Sequence, residues 1–230
     1  MKELPTPEIY EKEFKYMPWG ILIKKILDIT KQDTQKGSNI LDLMCGPGYL
    51  LSKIKELRPD LKLKGVDINE EFIGYAQEKY DGIKFEVADV LKWKTKEKYD
   101  LILCTGGLHH LPYEKQEELV KEIRSLLNEE GFCIIADPYI DDYSNEKERK
   151  LAALKLGYEY LIEVIKNSAP KEIISAAVDI LNNDLMGFEF KNSIKKNKLI
   201  FEKYFSSVLV HKTWPKSNSE YGDYFFILRK

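Results

Sequence analysis

Three aspartates, one glycine turn and a histidine pair are the residues whose types and spacing suit chemistry. Asp42, Asp67 and Asp89 each fall within or just past a short apolar run. A carboxylate at the end of a buried strand can accept hydrogen bonds from two neighbouring hydroxyls, and such charge-assisted bonds contribute roughly 1.5–3 kcal/mol. Gly46-Pro47-Gly48 directly follows the first run. Without a Cβ the backbone there turns sharply and lets a ligand approach, so the pattern points to a nucleotide-like ligand. Asp89 is placed to accept from an exocyclic amine or to cap the segment after it. Asp42 is placed to orient the glycine turn, to receive an ammonium through water, or to bond only local backbone. His109 and His110 are the candidate bases of the central loop, because imidazole titrates near neutral pH. The alternative for them is a helix cap or packing on a sheet.

Regular elements must gather these scattered groups. Ile40, Leu41 and Leu43 form the apolar run of a buried strand. Tyr49, Leu50, Ile54 and Leu57 then recur at helical spacing, ending before Pro59. Further strands are expected over residues 61–66, 83–87, 100–104 and 132–136, with Asp67 and Asp89 at the ends of the first two. Helices carried by Phe72, Ile73, Ala76 and Tyr80, and by Leu119, Ile123, Leu126 and Leu127, separate them. This alternation implies a parallel sheet covered on both faces, with ligands at the carboxyl ends of its strands. That rule brings Gly46, Asp67, Asp89 and the 104–110 loop to one edge.

The flanks differ. Thr6-Pro7 starts a helix running to about residue 16, and Pro18 separates it from a second carrying Leu22, Ile23, Ile26, Leu27 and Ile29. After Tyr139, residues 144–167 and 170–186 read as two helices with no strand between them. A helix over 193–204 and strands over 207–211 and 224–228 follow, the strands forming an antiparallel hairpin. The expected organisation of 1–230 is one domain: N-terminal helices 1–36, ligand-binding core 37–138, helical lid insertion 139–190, closing helix and hairpin 191–230. The aromatic content of the insertion suits a lid over a small, partly apolar molecule, with Tyr139, Asp141 and Tyr143 as pocket candidates.

The 230 residues carry a formal charge of −2, which argues against general nucleic-acid binding. The basic run 191–198 reads as a solvated helix face. Three cysteines, Cys45, Cys104 and Cys133, lie in apolar stretches without metal-like spacing and read as buried thiols. No secretory leader or membrane-spanning run is evident, so a cytoplasmic protein is expected, with homo-oligomerisation open.

On these residues the chain resembles the class I S-adenosylmethionine-dependent methyltransferases. LDLMCGPG is similar to their glycine-rich first motif, with Met44 where a glycine is usual. GVDIN and ADV resemble the two acidic motifs, and LCTGGLHHL the fourth-strand loop. The resemblance implies a Rossmann-like, mostly parallel seven-stranded sheet whose last strand is antiparallel. It implies S-adenosylmethionine as cofactor, held by Asp42, Met44, Gly46, Gly48, Asp67, Ile68, Asp89, Val90, Cys104, Thr105 and Gly106, the 104–106 segment through its backbone. It also implies that Tyr16 and Trp19, in the N-terminal segment, close over the cofactor. The expected reaction is in-line methyl transfer to an oxygen or nitrogen of a small-molecule acceptor, without a metal. A non-catalytic cofactor-binding sensor or partner subunit would share these features. A nicotinamide-dependent oxidoreductase would want a third glycine where Leu51 stands.

Overall fold

The computed structural model describes residues 5–230. The first four positions of the expected N-terminal helical region lie outside the described residues. Helix α1 (Pro7–Glu13) starts where Thr6 accepts from the Ile9 N–H, and α2 (Trp19–Asp33) buries Leu22, Ile23 and Ile26. The core then alternates as read: β1 (Asn39–Leu43), α3 (Tyr49–Leu57), β2 (Lys62–Asp67), α4 (Glu70–Lys79), β3 (Lys84–Val87), β4 (Tyr99–Thr105), α5 (Tyr113–Leu126) and β5 (Leu127–Tyr139). A single 3₁₀ turn, Leu108–His110, carries the histidine pair. Two long helices, α6 (Glu146–Lys166) and α7 (Lys171–Met186), precede α8 (Ile194–Tyr204), β6 (Ser207–Trp214) and β7 (Gly222–Arg229).

The seven strands form one sheet in the order β3-β2-β1-β4-β5-β7-β6. All pairings from β3 to β5 are parallel; β7 runs antiparallel to both β5 and β6. Ile40, Leu41 and Leu43 are at most 1% exposed, and full burial of each such side chain stabilises by about 1.5–3 kcal/mol. Two apolar clusters cover the sheet, one around α5 and α8, the other around α2, α3 and α4.

Three expectations change here. The fifth strand does not stop at Asp137-Pro138, because β7 pairs with it as far as Tyr139↔Gly222. Both hairpin strands likewise outrun their expected bounds, since each supplies the other's hydrogen bonds. Lys191 is no part of a solvated face: it is 1% exposed, with its ammonium 2.8 Å from both oxygens of Asp184. No helix among the described residues is long and apolar enough to cross a membrane. The cysteines are free and buried.

Candidate active site

The glycine turn is braced by the acid of the next strand. Asp67 accepts the Gly46 N–H at 2.8 Å with one oxygen and the Asn69 N–H at 2.9 Å with the other. Its carboxylate is thereby fixed at the carboxyl end of β2. The Asp67 carbonyl accepts the Ala88 N–H at 2.8 Å, which ties the start of the Asp89 loop to the same edge. Gly48 caps α3 with φ +79°, and a Cβ there would stand 2.7 Å from the Phe85 ring, so both backbone and space demand glycine. Met44 also has positive φ, +59°, an uncommon conformation for a side-chain-bearing residue.

Asp42 is 2% exposed, and its Oδ1 has no partner among the described residues. Burial, and then the charge of Asp67, push its carboxyl well above the ordinary range. It lines a small cleft with Met44, Tyr49 and Thr105. An ammonium group would satisfy that oxygen, and Asp67 retains lone pairs for ribose hydroxyls. The donors and acceptors present therefore fit an aminoacyl nucleoside. Asp89 accepts the Leu91 N–H at 3.0 Å and pairs with Lys92 at 2.9 Å; these contacts, Lys92 foremost, hold its pKa low. Its capping role is thus observed, and its second oxygen is engaged by a largely exposed lysine.

A cavity of about 370 Å³ adjoins this cleft and shares Tyr10, Phe14 and Thr105 with it. His109 and His110 stand in its wall. His109 is held twice by Asp137: its N–H donates to Oδ2 at 3.1 Å, and Nδ1 lies 2.9 Å from Oδ1. Nε2 of His109 is 3.2 Å from Glu189 Oε2, and Nδ1 of His110 is 2.9 Å from the same oxygen. Burial pushes Asp137 up to about 8. Burial also opposes charge on Glu189, but the two imidazoles and Lys191 outweigh it and hold that carboxyl well below the usual range. A proton arriving on either imidazole thus meets an ionised partner.

The structure sorts the remaining candidates. Thr105, Gly106 and Trp19 line the cavity. Ile68 is 67% exposed beside Asp67, while Val90 and Cys104 are buried in the core, Cys104 leaving only its backbone for contact. Tyr16 does not line the cavity; it packs against Met17 and the α6–α7 helices because Pro18 turns the chain after it. Tyr139 is a core residue edge-on to Phe226, since the extension of β5 buries it. Tyr143 bonds Asn192 at 2.9 Å and also lies outside the cavity, as does Asp141, paired with Lys155.

Several wall residues escaped the sequence reading: Glu13, Asp137, Tyr160, Glu189 and Asp223. Tyr10 covers the glycine turn, its ring 3.7 Å from where a Gly46 Cβ would be, and leans on Phe72. The one available signal was on α7, where Glu172, Asp179 and Asn183 recur at helical spacing opposite Ile173 and Ala177.

A family model described as a methyltransferase domain matches residues 34–198. Malonyl-[acyl-carrier protein] O-methyltransferase of Acetivibrio thermocellus is 24% identical over 186 residues, 79% of this chain and 64% of the relative. Trans-aconitate 2-methyltransferase of Shigella dysenteriae is 26% identical over 139 residues, 54% of each chain. The chain thus spans less than two thirds of the length of these relatives. Among solved structures, the plantazolicin methyltransferase BpumL, in complex with a monoazolic desmethylPZN analogue and SAH, superposes with TM-score 0.64 at 14% identity, covering 97% of this chain and 90% of that one. Magnesium protoporphyrin IX methyltransferase from Synechocystis PCC 6803, with bound SAM, gives 0.58 at 15%, covering 91% and 78%. These two likenesses establish the shared fold.

Proposed function

This chain belongs to the class I S-adenosylmethionine-dependent methyltransferases, and we propose that it methylates an oxygen or nitrogen atom of a small molecule seated in the 370 Å³ cavity. One observation carries the reading. The cleft built on Asp42 and the glycine turn, and the cavity wall bearing His110, meet along Thr105, Tyr10 and Phe14. Donor site and candidate base therefore border one continuous cavity.

When bound, S-adenosylmethionine supplies a methyl group already activated on a sulfonium, so the attacking atom forms the new bond while the C–S electron pair stays on sulfur. Asp67 would accept the ribose hydroxyls and Asp42 the ammonium. The backbone of Thr105 and Gly106 forms the floor, the Gly106 N–H being anchored on the Ala136 carbonyl at 2.7 Å. Aligning two reactants contributes on the order of 7–11 kcal/mol to lowering a barrier, so binding and exclusion of water do most of the work asked of this chain. His110, whose Nδ1 lies 2.9 Å from Glu189 Oε2, takes the proton that the acceptor loses, and Glu189 stabilises the imidazolium. His109, held through both ring nitrogens by Asp137 and Glu189, positions that carboxylate. A positioned base of this kind contributes typically ~10²–10⁴-fold.

Calorimetric titration with S-adenosylmethionine and S-adenosylhomocysteine, followed by a turnover assay on a panel of amines and hydroxyl compounds, tests the proposal. Saturable binding of both with transfer to at least one acceptor is expected. Absence of binding refutes the proposal; binding without transfer to any acceptor makes the chain a cofactor-binding module.

A further inference from the structure

The cavity wall has a sign. Helix α7 lines the cavity with Glu172, Ser175, Ala176, Asp179, Ile180 and Asn183, one face at three- and four-residue spacing. Two of the six are acids and none is basic. Deeper in, the last strand contributes Asp223 and α1 contributes Glu13, at 1% and 2% exposure. The Tyr160 hydroxyl donates to Asp223 Oδ1, but Oδ2 is buried with no partner among the described residues. Among the described residues Lys191 is the one lysine or arginine lining the cavity, and its ammonium is committed to Asp184 by two 2.8 Å contacts.

Among the described residues six carboxyl groups, on Glu13, Asp137, Glu172, Asp179, Glu189 and Asp223, thus stand in the wall against Lys191 and the imidazoles of His109 and His110. Burial pushes Asp223 up to about 7, against the opposing pull of Tyr160 and Lys191. Asp42 and Asp67, which serve the glycine turn, lie outside this set of wall residues. The same wall presents aromatic surface: Trp19 lies edge-on to Tyr160 with ring centroids 6.4 Å apart, and Phe14 adjoins them. Aromatic faces attract cations through their quadrupole, most strongly where water is excluded.

Resting on the methyl-transfer reading of this site, we infer that the acceptor is a small amine that binds as its ammonium between Asp223 and the acidic stripe of α7, against Tyr160 and Trp19. The attacking nitrogen first gives one N–H proton to the histidine base of the wall, so that its lone pair forms the new bond to the methyl as the C–S pair stays on sulfur. A carboxylate of the same size would face like charges at low dielectric, which disfavours it.

The test is calorimetric titration of the full chain, saturated with S-adenosylhomocysteine, with 2-phenylethylamine, tyramine and putrescine beside 3-phenylpropanoate. At least one amine should bind about tenfold or more tightly than the carboxylate. Asp223→Asn should weaken that amine by a similar factor. The double change Glu172→Gln with Asp179→Asn, on exposed helix positions, gives a second reading that does not risk the fold. Preference for the carboxylate, or no heat from any amine at millimolar concentration, overturns the inference while leaving methyl transfer intact. Failure of S-adenosylhomocysteine to bind overturns the methyl-transfer reading instead.

Discussion

Asp67 holds the glycine turn and the following helix start with its two oxygens, so its substitution should act on the shape of the turn and, through it, on binding. Asp67→Asn keeps the shape but turns one acceptor into a donor facing a backbone N–H. Charge-assisted bonds contribute roughly 1.5–3 kcal/mol, so the Kd for S-adenosylmethionine should rise about tenfold to a hundredfold, measured by calorimetry. His110→Gln separates the other role. Turnover should fall at least ~10²-fold with cofactor affinity nearly unchanged, and the pH–rate profile should lose its acidic limb, the rise that accompanies deprotonation of the base. An unchanged kcat would remove His110 from the chemistry. Asp67 was legible in the sequence because a carboxylate ending an apolar run is a local pattern. The hold of Asp137 and Glu189 on His109 was not, because those partners come from β5 and the segment after α7.

At the scale of elements, the turn after β1 and the turn after β4 fit each other. A Cβ on Gly107 would stand 2.9 Å from Met44 Cβ and 3.1 Å from its sulfur. Met44, in the left-handed region, thus fills space that Gly107 leaves open. Gly107→Ala should destabilise by about 1–3 kcal/mol in urea unfolding, the usual cost of overpacking. Met44→Gly relieves backbone strain of about 1–2 kcal/mol while losing packing, so alone it should change little. Combined, the two should be less destabilising than their sum by more than about 0.5 kcal/mol; strict additivity would show that the turns do not touch. The sequence showed Met44 as a departure from the resembled pattern, but its compensation lies three strands later in the chain.

For the whole molecule, buried acids set the pH response. Asp137 and Asp223, pushed up to about 8 and about 7, face Tyr160, Lys191, Glu189 and the two histidines. Their folded pKa values exceed the unfolded value of about 3.9, so the folded chain binds more protons between these limits. The stability they contribute is complete below about pH 4 and is lost as pH rises through 7 to 8. The unliganded melting temperature should therefore fall between pH 5 and pH 8, and Asp223→Asn should shallow that fall. Equal slopes for both proteins would contradict the assignment. A second whole-molecule device is the latch on α1, where Glu11 pairs with Lys79 at 2.6 Å and accepts from Tyr80. Glu11→Gln should speed cofactor release, read by stopped flow, because Tyr10 on that helix covers the glycine turn.

The order of strands and helices, the glycine turn and the acids at the strand ends were determined by the sequence itself. Periodicity, proline and glycine act on the backbone within a few residues, so they can be read without knowing what packs where. The character of the cavity was decided only by folding. Glu13, Asp137, Glu189 and Asp223 lie on four separate segments, and Tyr139 and Tyr143 turn away from the space their neighbours surround. Which way a side chain points, and how much water it loses, depends on the elements laid against it rather than on its neighbours in the chain.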